Sequence, residues 1–211
     1  MVCEIPGLNL GLAYQTAWLE YGRGRWNFRC SGEVGRGCLA GPVFAAAIKL
    51  DQDNFPEGIN DSKRLNKSKR LEIFKILIKK CEYSIGISSV KEIEKLNILQ
   101  SSLLAMNRAL EKINIKDHVI LVDGNFSPDK NKNIRTVIKG DQKRISIAAA
   151  SIIAKVSRDL FMEELSLKFP NYSWEKNCGY GTKKHLEAIK KFGITEHHRK
   201  TFSPIHNLLI N

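Results

Sequence analysis

Three acids and one glycine-rich stretch are the residues of this chain best suited to chemistry. Gly32 to Pro42, GEVGRGCLAGP, packs four glycines and a proline around Glu33 and Arg36. Glycine at that density lets a backbone approach a ligand and turn its N–H groups outward. A carboxylate beside such a loop points to a metal ion, and an arginine points to a phosphate. Asp123 and Asp141 each follow a short apolar run and neighbour a glycine, in Asp123-Gly124-Asn125 and Lys139-Gly140-Asp141. Alone, either aspartate reads as a turn residue. Together with the glycine loop they read as carboxylates converging from separate strand ends, a set suited to Mg²⁺ or Mn²⁺. Two such ions activate a water and stabilise the leaving oxygen in phosphodiester hydrolysis.

Bringing these acids together needs strands interleaved with helices, and the apolar pattern supplies them. Val43 to Leu50 reads as a buried strand, being apolar and too short for a typical helix. Asp51 to Asn60 reads as a loop. Asn66 to Cys81 carries Leu71, Phe74, Leu77 and Ile78 at the spacing of one helix face. Tyr83 to Val90 reads as a strand and Leu96 to Ile113 as a helix. His118 to Val122 and Arg135 to Ile138 are the short strands that lead into the two aspartates. Ser146 to Phe169 runs as a long helix closed by Pro170, and Lys183 to Phe192 as a basic helix ended by Gly193. Ahead of these, Leu8, Leu10, Leu12, Ala13 and Trp18 give a weakly amphipathic helix pattern, and a strand is expected from Asn27. The fold class is therefore α/β.

The formal charge of +12 and pI near 9.5 favour a polyanionic partner, because neutralising phosphates releases condensed counterions. A solubilising surface would look the same by composition alone. Five cysteines without a CxxC pair indicate reduced thiols rather than a zinc site or a disulfide framework. No run reaches the ~18 apolar residues of a membrane span, and the start of the chain lacks a secretory pattern. A cytoplasmic monomer with no membrane association is expected.

The glycine loop resembles the amino-terminal signature of the bacterial ribonuclease HII family, Asp-Glu-(Ala/Val)-Gly-Arg-Gly followed by Leu-Ala-Gly-Pro-Val. Asn60-Asp61-Ser62-Lys63-Arg64-Leu65, Leu96-Asn97-Ile98-Leu99, Val122-Asp123-Gly124-Asn125, Lys139-Gly140-Asp141, Ala148 to Asp159, Gly179-Tyr180-Gly181-Thr182 and Thr195-Glu196-His197-His198-Arg199 match family segments in order. The resemblance implies a ribonuclease H-like mixed sheet flanked by helices over 27–170. A helical substrate-binding part would follow over 171–211, with 1–26 an atypical extension.

It also implies an endonuclease that hydrolyses the RNA strand of RNA–DNA hybrids. Such an enzyme cuts 5′ to ribonucleotides embedded in duplex DNA, with Mn²⁺ or Mg²⁺ as cofactor. Glu33, Asp123 and Asp141 would be the metal ligands. The amides of Gly35, Arg36 and Gly37 would embrace the ribose 2′-OH, and Tyr180 would stack on the following deoxyribose. Lys63, Lys183, Lys184 and Arg199 are candidate phosphate contacts, within a segment 183–200 that carries six Lys and Arg against two Glu. Asp159 stays outside the ligand set, placed to pair with Lys155 four residues earlier. The histidines lack metal-binding spacing, and His197 and His198 read as structural.

One letter departs from the pattern. Where the family has its first metal-binding Asp, this chain has Gly32. Losing a carboxylate removes charge and ligands that Mg²⁺ needs, so the rate should fall by orders of magnitude while recognition of the nucleic acid survives. The alternative to an active nuclease is thus a catalytically inactive binder of RNA–DNA junctions. A nucleotide-binding α/β enzyme is disfavoured, since neither GxGxxG nor GxxxxGK[ST] occurs.

Overall fold

The computed structural model describes residues 34–51, 56–59, 62, 65–113, 119–130 and 133–210, with the strand backbone at 18–19 and 26–30. Six strands form the sheet: β1 (Trp18–Leu19), β2 (Trp26–Cys30), β3 (Val43–Asp51), β4 (Glu82–Ser88), β5 (Ile120–Asp123) and β6 (Ile134–Val137). Their order is β1-β5-β2-β3-β4, with β6 also paired to β5. β2, β5 and β6 run parallel, whereas β3 is antiparallel to both β2 and β4. This is the mixed α/β sheet that the alternating pattern indicates.

Trp18 stands in a strand opposite Leu121, not in the helix read from Leu8 to Trp18. The rest of that expected helix lies outside the described residues. The strand expected from Asn27 is present as β2.

The helices are α1 (Lys67–Lys80), α2 (Val90–Leu110), α3 (Gly140–Lys143), α4 (Ile145–Lys168), α5 (Trp174–Asn177), α6 (Lys183–Phe192) and α7 (Ile205–Ile210). α1 starts where the sequence predicts, because the Asn66 side chain accepts from the Lys69 amide, a cap worth about 1 kcal/mol. α2 starts earlier than the pattern suggests. Ser89 and Glu92 form a capping box that ends β4 at Ser88 and opens the helix at Val90. At Asn97 the backbone turns to φ 69°, and its side-chain oxygen accepts from Leu99 and Gln100. Asn97 therefore kinks α2 and caps its second part from within, so the helix read from Leu96 is that second part.

Two apolar clusters hold the elements. The larger joins β3, β4 and β5 to α1, α2 and the first half of α4; Ala45, Ala46, Ala47, Ile48, Ile85 and Val122 are buried within it. The smaller joins Leu39 and Ala40 of the glycine loop to Met162 and Leu165 of α4 and to Tyr172, Trp174, Ala188, Ile189 and Ile205. Trp174 and Tyr172 stack with ring centroids 5.1 Å apart, and Phe44 meets Phe161 at 5.4 Å between the clusters. The second cluster fastens the carboxy-terminal segment to the glycine loop. No helix of the described residues is long and apolar enough to cross a membrane.

Candidate functional site

The three parallel strands end on one side of the sheet. Cys30 of β2 lies opposite Val122 of β5, and Asp123, the last residue of β5, lies opposite Val137, the last of β6. The chain therefore leaves β2 at the sheet end that Asp123 occupies, and the glycine loop resumes at Val34. Gly32 and Glu33 lie outside the described residues. Such a convergence of strand ends is where α/β sheets gather ligands.

Asp123 lies there and the backbone just before Asp141 reaches it; both acids are largely buried, at 7% and 8% exposure. The Gly140 amide donates to Asp123 Oδ1 at 2.6 Å, and Asp141 is the next residue. Gly124 donates its amide to the Val137 carbonyl at 3.0 Å, which carries the parallel β5–β6 pairing one residue past Asp123. Glycine at 140 leaves room for close packing: a Cβ there would stand 1.8 Å from Ile147 Cδ1 and 3.1 Å from Asp123 Oδ1, so the Ile147 side chain would have to move. Asp141 is in the first turn of α3, a four-residue helix, rather than on a strand-end loop. No group of three or more His, Cys, Asp or Glu residues placed to hold a metal occurs among the described residues. The two aspartates offer only hard oxygen donors, which fits a divalent ion of the Mg²⁺ class and not a soft metal.

The glycine loop is held from beneath by two guanidinium groups. Arg158 of α4 and Arg199 are both 0% exposed. Arg158 donates from Nε to the Pro42 carbonyl (3.1 Å), from Nη2 to Ala40 (3.0 Å) and from Nη1 to Cys178 (2.8 Å). Arg199 donates from Nε and Nη2 to the Gly41 carbonyl (2.9 and 2.7 Å) and from Nη1 to Arg36 (3.0 Å). Neither is paired with a carboxylate among the described residues. Burial, then repulsion from Arg158, pushes Arg199 down to about 9, which leaves it charged at neutral pH. Its charge is spread over carbonyl dipoles instead of an acid.

Those carbonyls point inward, and that fixes where the amides point. In a planar trans peptide the C=O and N–H face opposite ways. Because the Arg36 carbonyl turns in to Arg199, the Gly37 N–H turns out, and Gly37 is exposed. Gly35 has φ 87°, and a Cβ there would sit 2.3 Å from Arg158 Nε, so only glycine allows the loop to rest on the guanidinium. The amides of Gly35, Arg36 and Gly37 have no acceptor among the described residues.

Arg199 is accordingly a correction to the sequence reading. It reads as a phosphate contact in a basic run, but its donors are consumed inside the protein. Lys183 and Lys184, at the start of α6, are exposed. Lys63 lies outside the described residues; of the described residues near it, Ser62 and Leu65 accept from Arg70 at their carbonyls (2.8 and 2.7 Å). Asp159 pairs with Lys155 at 2.7 Å, as the i, i+4 spacing predicts, and lies 3.9 Å from Arg70.

Tyr180 stands beside the glycine loop, because Leu39 and Ala40 donate their amides to the Gly179 carbonyl (2.8 and 3.2 Å). The residue is 40% exposed, with Lys155 Nζ 5.9 Å from the ring centroid. Burial of the hydroxyl end, with the neighbouring Cys38 next in weight, pushes the phenol up to about 12. The phenol is therefore neutral at neutral pH. The residues that sequence reasoning missed are Arg158 and His185. Arg158 lies in the Ala- and Ile-rich helix α4 and is fully buried, a buried charge that needs partners.

Comparison with known proteins follows this geometry. The ribonuclease HII family profile matches residues 31–205. The chain is 58% identical over 178 residues to the ribonuclease HII of Pelagibacter ubique, covering 84% of this chain and 96% of that one. It is 49% identical over 176 residues to that of a Wolbachia of Brugia malayi, covering 83% and 87%. Among solved structures, the ribonuclease H2 of Pyrococcus horikoshii superposes with a TM-score of 0.68 at 27% identity, covering 83% of this chain and 93% of that one. The sheet with converging parallel strands is thus ribonuclease H-like, and the chain belongs to the ribonuclease HII family of ribonuclease H enzymes.

Proposed function

We propose that this chain recognises ribonucleotides paired with DNA and cuts the phosphodiester 5′ to them, whether they form a hybrid or stand alone in duplex DNA. The observation that carries this reading is the outward Gly37 amide, aimed by Arg199 through the Arg36 carbonyl. A backbone donor held rigidly on the surface suits the ribose 2′-OH, the group that distinguishes RNA from DNA. The partly exposed Tyr180 ring, fastened to the same loop, suits the next sugar. Arg36, Lys63, Lys183 and Lys184 suit the phosphates on either side.

Asp123 and Asp141, joined by Glu33, would hold the divalent cation, Mg²⁺ or Mn²⁺. When bound it lowers the pKa of a water and offsets charge on the phosphoryl oxygens. The protein's own part is to hold Asp123 through the Gly140 amide, orient the ribose on the loop and bury the acids so that their charge acts on the site.

Gly32 favours a second outcome, binding without turnover, because one acid of the family pattern is missing beside Glu33. The test is cleavage of a DNA duplex bearing one ribonucleotide, with Mg²⁺ and with Mn²⁺, by this chain and by Gly32→Asp. Cleavage restored by Gly32→Asp supports the nuclease reading and assigns the loss to residue 32. Binding of the duplex with no cleavage by either protein supports the binder. Absence of binding by both overturns the reading.

A further inference from the structure

Trp174, His185 and His198 form a buried chain, each 0% exposed. Trp174 Nε1 lies 3.0 Å from His185 Nε2. An indole N–H only donates, so His185 Nε2 accepts and the ring carries its proton on Nδ1. That Nδ1–H meets the Tyr180 carbonyl at 2.8 Å. His198 Nδ1 accepts from the Thr195 amide at 2.9 Å, so its proton is on Nε2, 3.2 Å from His185 Nε2. Both tautomers are fixed by their neighbours. Burial keeps both rings uncharged, holding His185 below its usual value and His198 down at about 3.

The chain ends on the peptide of Tyr180. That peptide also donates its N–H to Asn177 (2.8 Å), and its carbonyl accepts from Thr182 (2.8 Å). On the other side, the residues flanking His198 grip the glycine loop. Gly41 donates to the His197 carbonyl at 2.9 Å, and Arg199 donates its amide to Leu39 at 2.8 Å. One imidazole pair therefore spans from the glycine loop to Tyr180.

We propose that His185 is a positioning residue that sets the Tyr180 ring against the Gly35–Gly37 amides through its bond to the Tyr180 carbonyl. It thereby sets the preference for a ribonucleotide followed by a deoxyribonucleotide over a continuous hybrid. This rests on the reading that the loop and Tyr180 face nucleic acid. Loss of the His185 bond leaves the Tyr180 carbonyl held by the Thr182 amide alone, which loosens the ring's backbone while leaving the 2′-OH donors in place. Selectivity then falls more than affinity.

Two variants of one residue separate positioning from general stability. The side-chain nitrogen of Asn overlays Nδ1, so His185→Asn keeps the bond to Tyr180 and loses Trp174 and His198. The amide oxygen of Gln overlays Nε2, so His185→Gln keeps those partners and loses Tyr180. Fluorescence anisotropy with Ca²⁺ would compare a duplex carrying one ribonucleotide with an all-RNA/DNA hybrid of equal length. The expected result is that His185→Gln lowers the ratio of the two affinities about fivefold, the worth of one buried hydrogen bond. His185→Asn should lower the melting temperature yet keep the ratio. Equal ratios in both variants overturn the proposal. If the unsubstituted chain binds neither duplex, the proposal and the reading beneath it fall together, whereas binding with no preference, or with a preference that ignores His185, overturns the positioning role alone. A measurement that needs no variant is the ¹H–¹⁵N two-bond spectrum of the imidazoles. Nδ1–H at His185 and Nε2–H at His198 are expected, and the reverse pair would also overturn the proposal.

Discussion

The guanidinium of Arg199 lies 3.0 Å from the carbonyl oxygen of Arg36, and through that contact a buried charge aims an exposed amide. Arg199→Lys keeps the charge and loses the fork that spans Gly41 and Arg36. The expected cost is about 2–3 kcal/mol of stability, since buried carbonyls lose their donors. Affinity for a ribonucleotide-bearing duplex should fall with it. The dependence of affinity on salt should not change, because Arg199 neutralises no phosphate. Lys183→Ala is expected to do the opposite: stability unchanged, and the slope of log K against log salt reduced by about one. Urea melts and salt titrations of both variants check this.

Gly140→Ala tests the acid pair. Its new methyl would collide with Ile147 and crowd Asp123. Overpacking of this kind costs about 1–3 kcal/mol, and the shift of α3 against β5 should weaken divalent-ion binding. Calorimetric titration with Mn²⁺, in the Gly32→Asp background, reads the second effect. Unchanged Mn²⁺ affinity would show that the 140–141 backbone does not set the aspartates' spacing.

Acid should loosen the fold in two stages. His185 and His198 are held neutral by burial, with His197 adding repulsion on His198, so protonation favours the unfolded chain. A depressed folded pKa means that this stability is complete above the unfolded value of about 6.5. It is lost as pH falls toward about 3. Glu92, hydrogen-bonded to Arg108 at 2.6 Å and to Ser89, is held at about 2, so its contribution is complete above about 4.5 and lost below that. Urea midpoints between pH 8 and pH 4 should decline first from about 6.5, and His198→Gln should flatten that first decline. A midpoint constant from pH 7 to pH 5 would contradict the neutral pair.

Tyr180 divides ring from hydroxyl. Its phenol stays protonated and its ring is partly exposed, so Tyr180→Phe should keep selectivity for a single embedded ribonucleotide. Tyr180→Ala should lose about tenfold or more in affinity, the scale of one stacking contact. Loss with both variants would move the role from the ring face to the hydroxyl.

The local pattern of the chain reveals elements better than it reveals roles. α1, α4 and α6 follow from apolar spacing and from Asn66, Pro170 and Gly193, because those signals act within a few residues. Asp123 and Asp141 are legible for the same reason: an apolar strand, an acid and a glycine are contiguous. The start of α2 was missed because Ser89 and Glu92 cap it with no glycine or proline to mark the boundary. Lys183 and Arg199 look alike in a basic run, yet one is exposed and the other is fully buried. The difference lies in carbonyls 158 and 163 residues away, which no local window contains. Arg158 escapes for the same reason, since two of its partners lie 116 and 118 residues away in the glycine loop; His185 escapes because its spacing to Tyr180, Trp174 and His198 matches no helix or strand period.

The contact between Arg199 and Arg36 also orders events in time. The glycine loop emerges early in synthesis, but the side chain that aims it arrives 163 residues later. An incomplete chain can form strands around the loop without presenting a directed donor to any ribose. On the proposed reading, a product truncated ahead of Arg199 would carry the acids without the means to choose where they act.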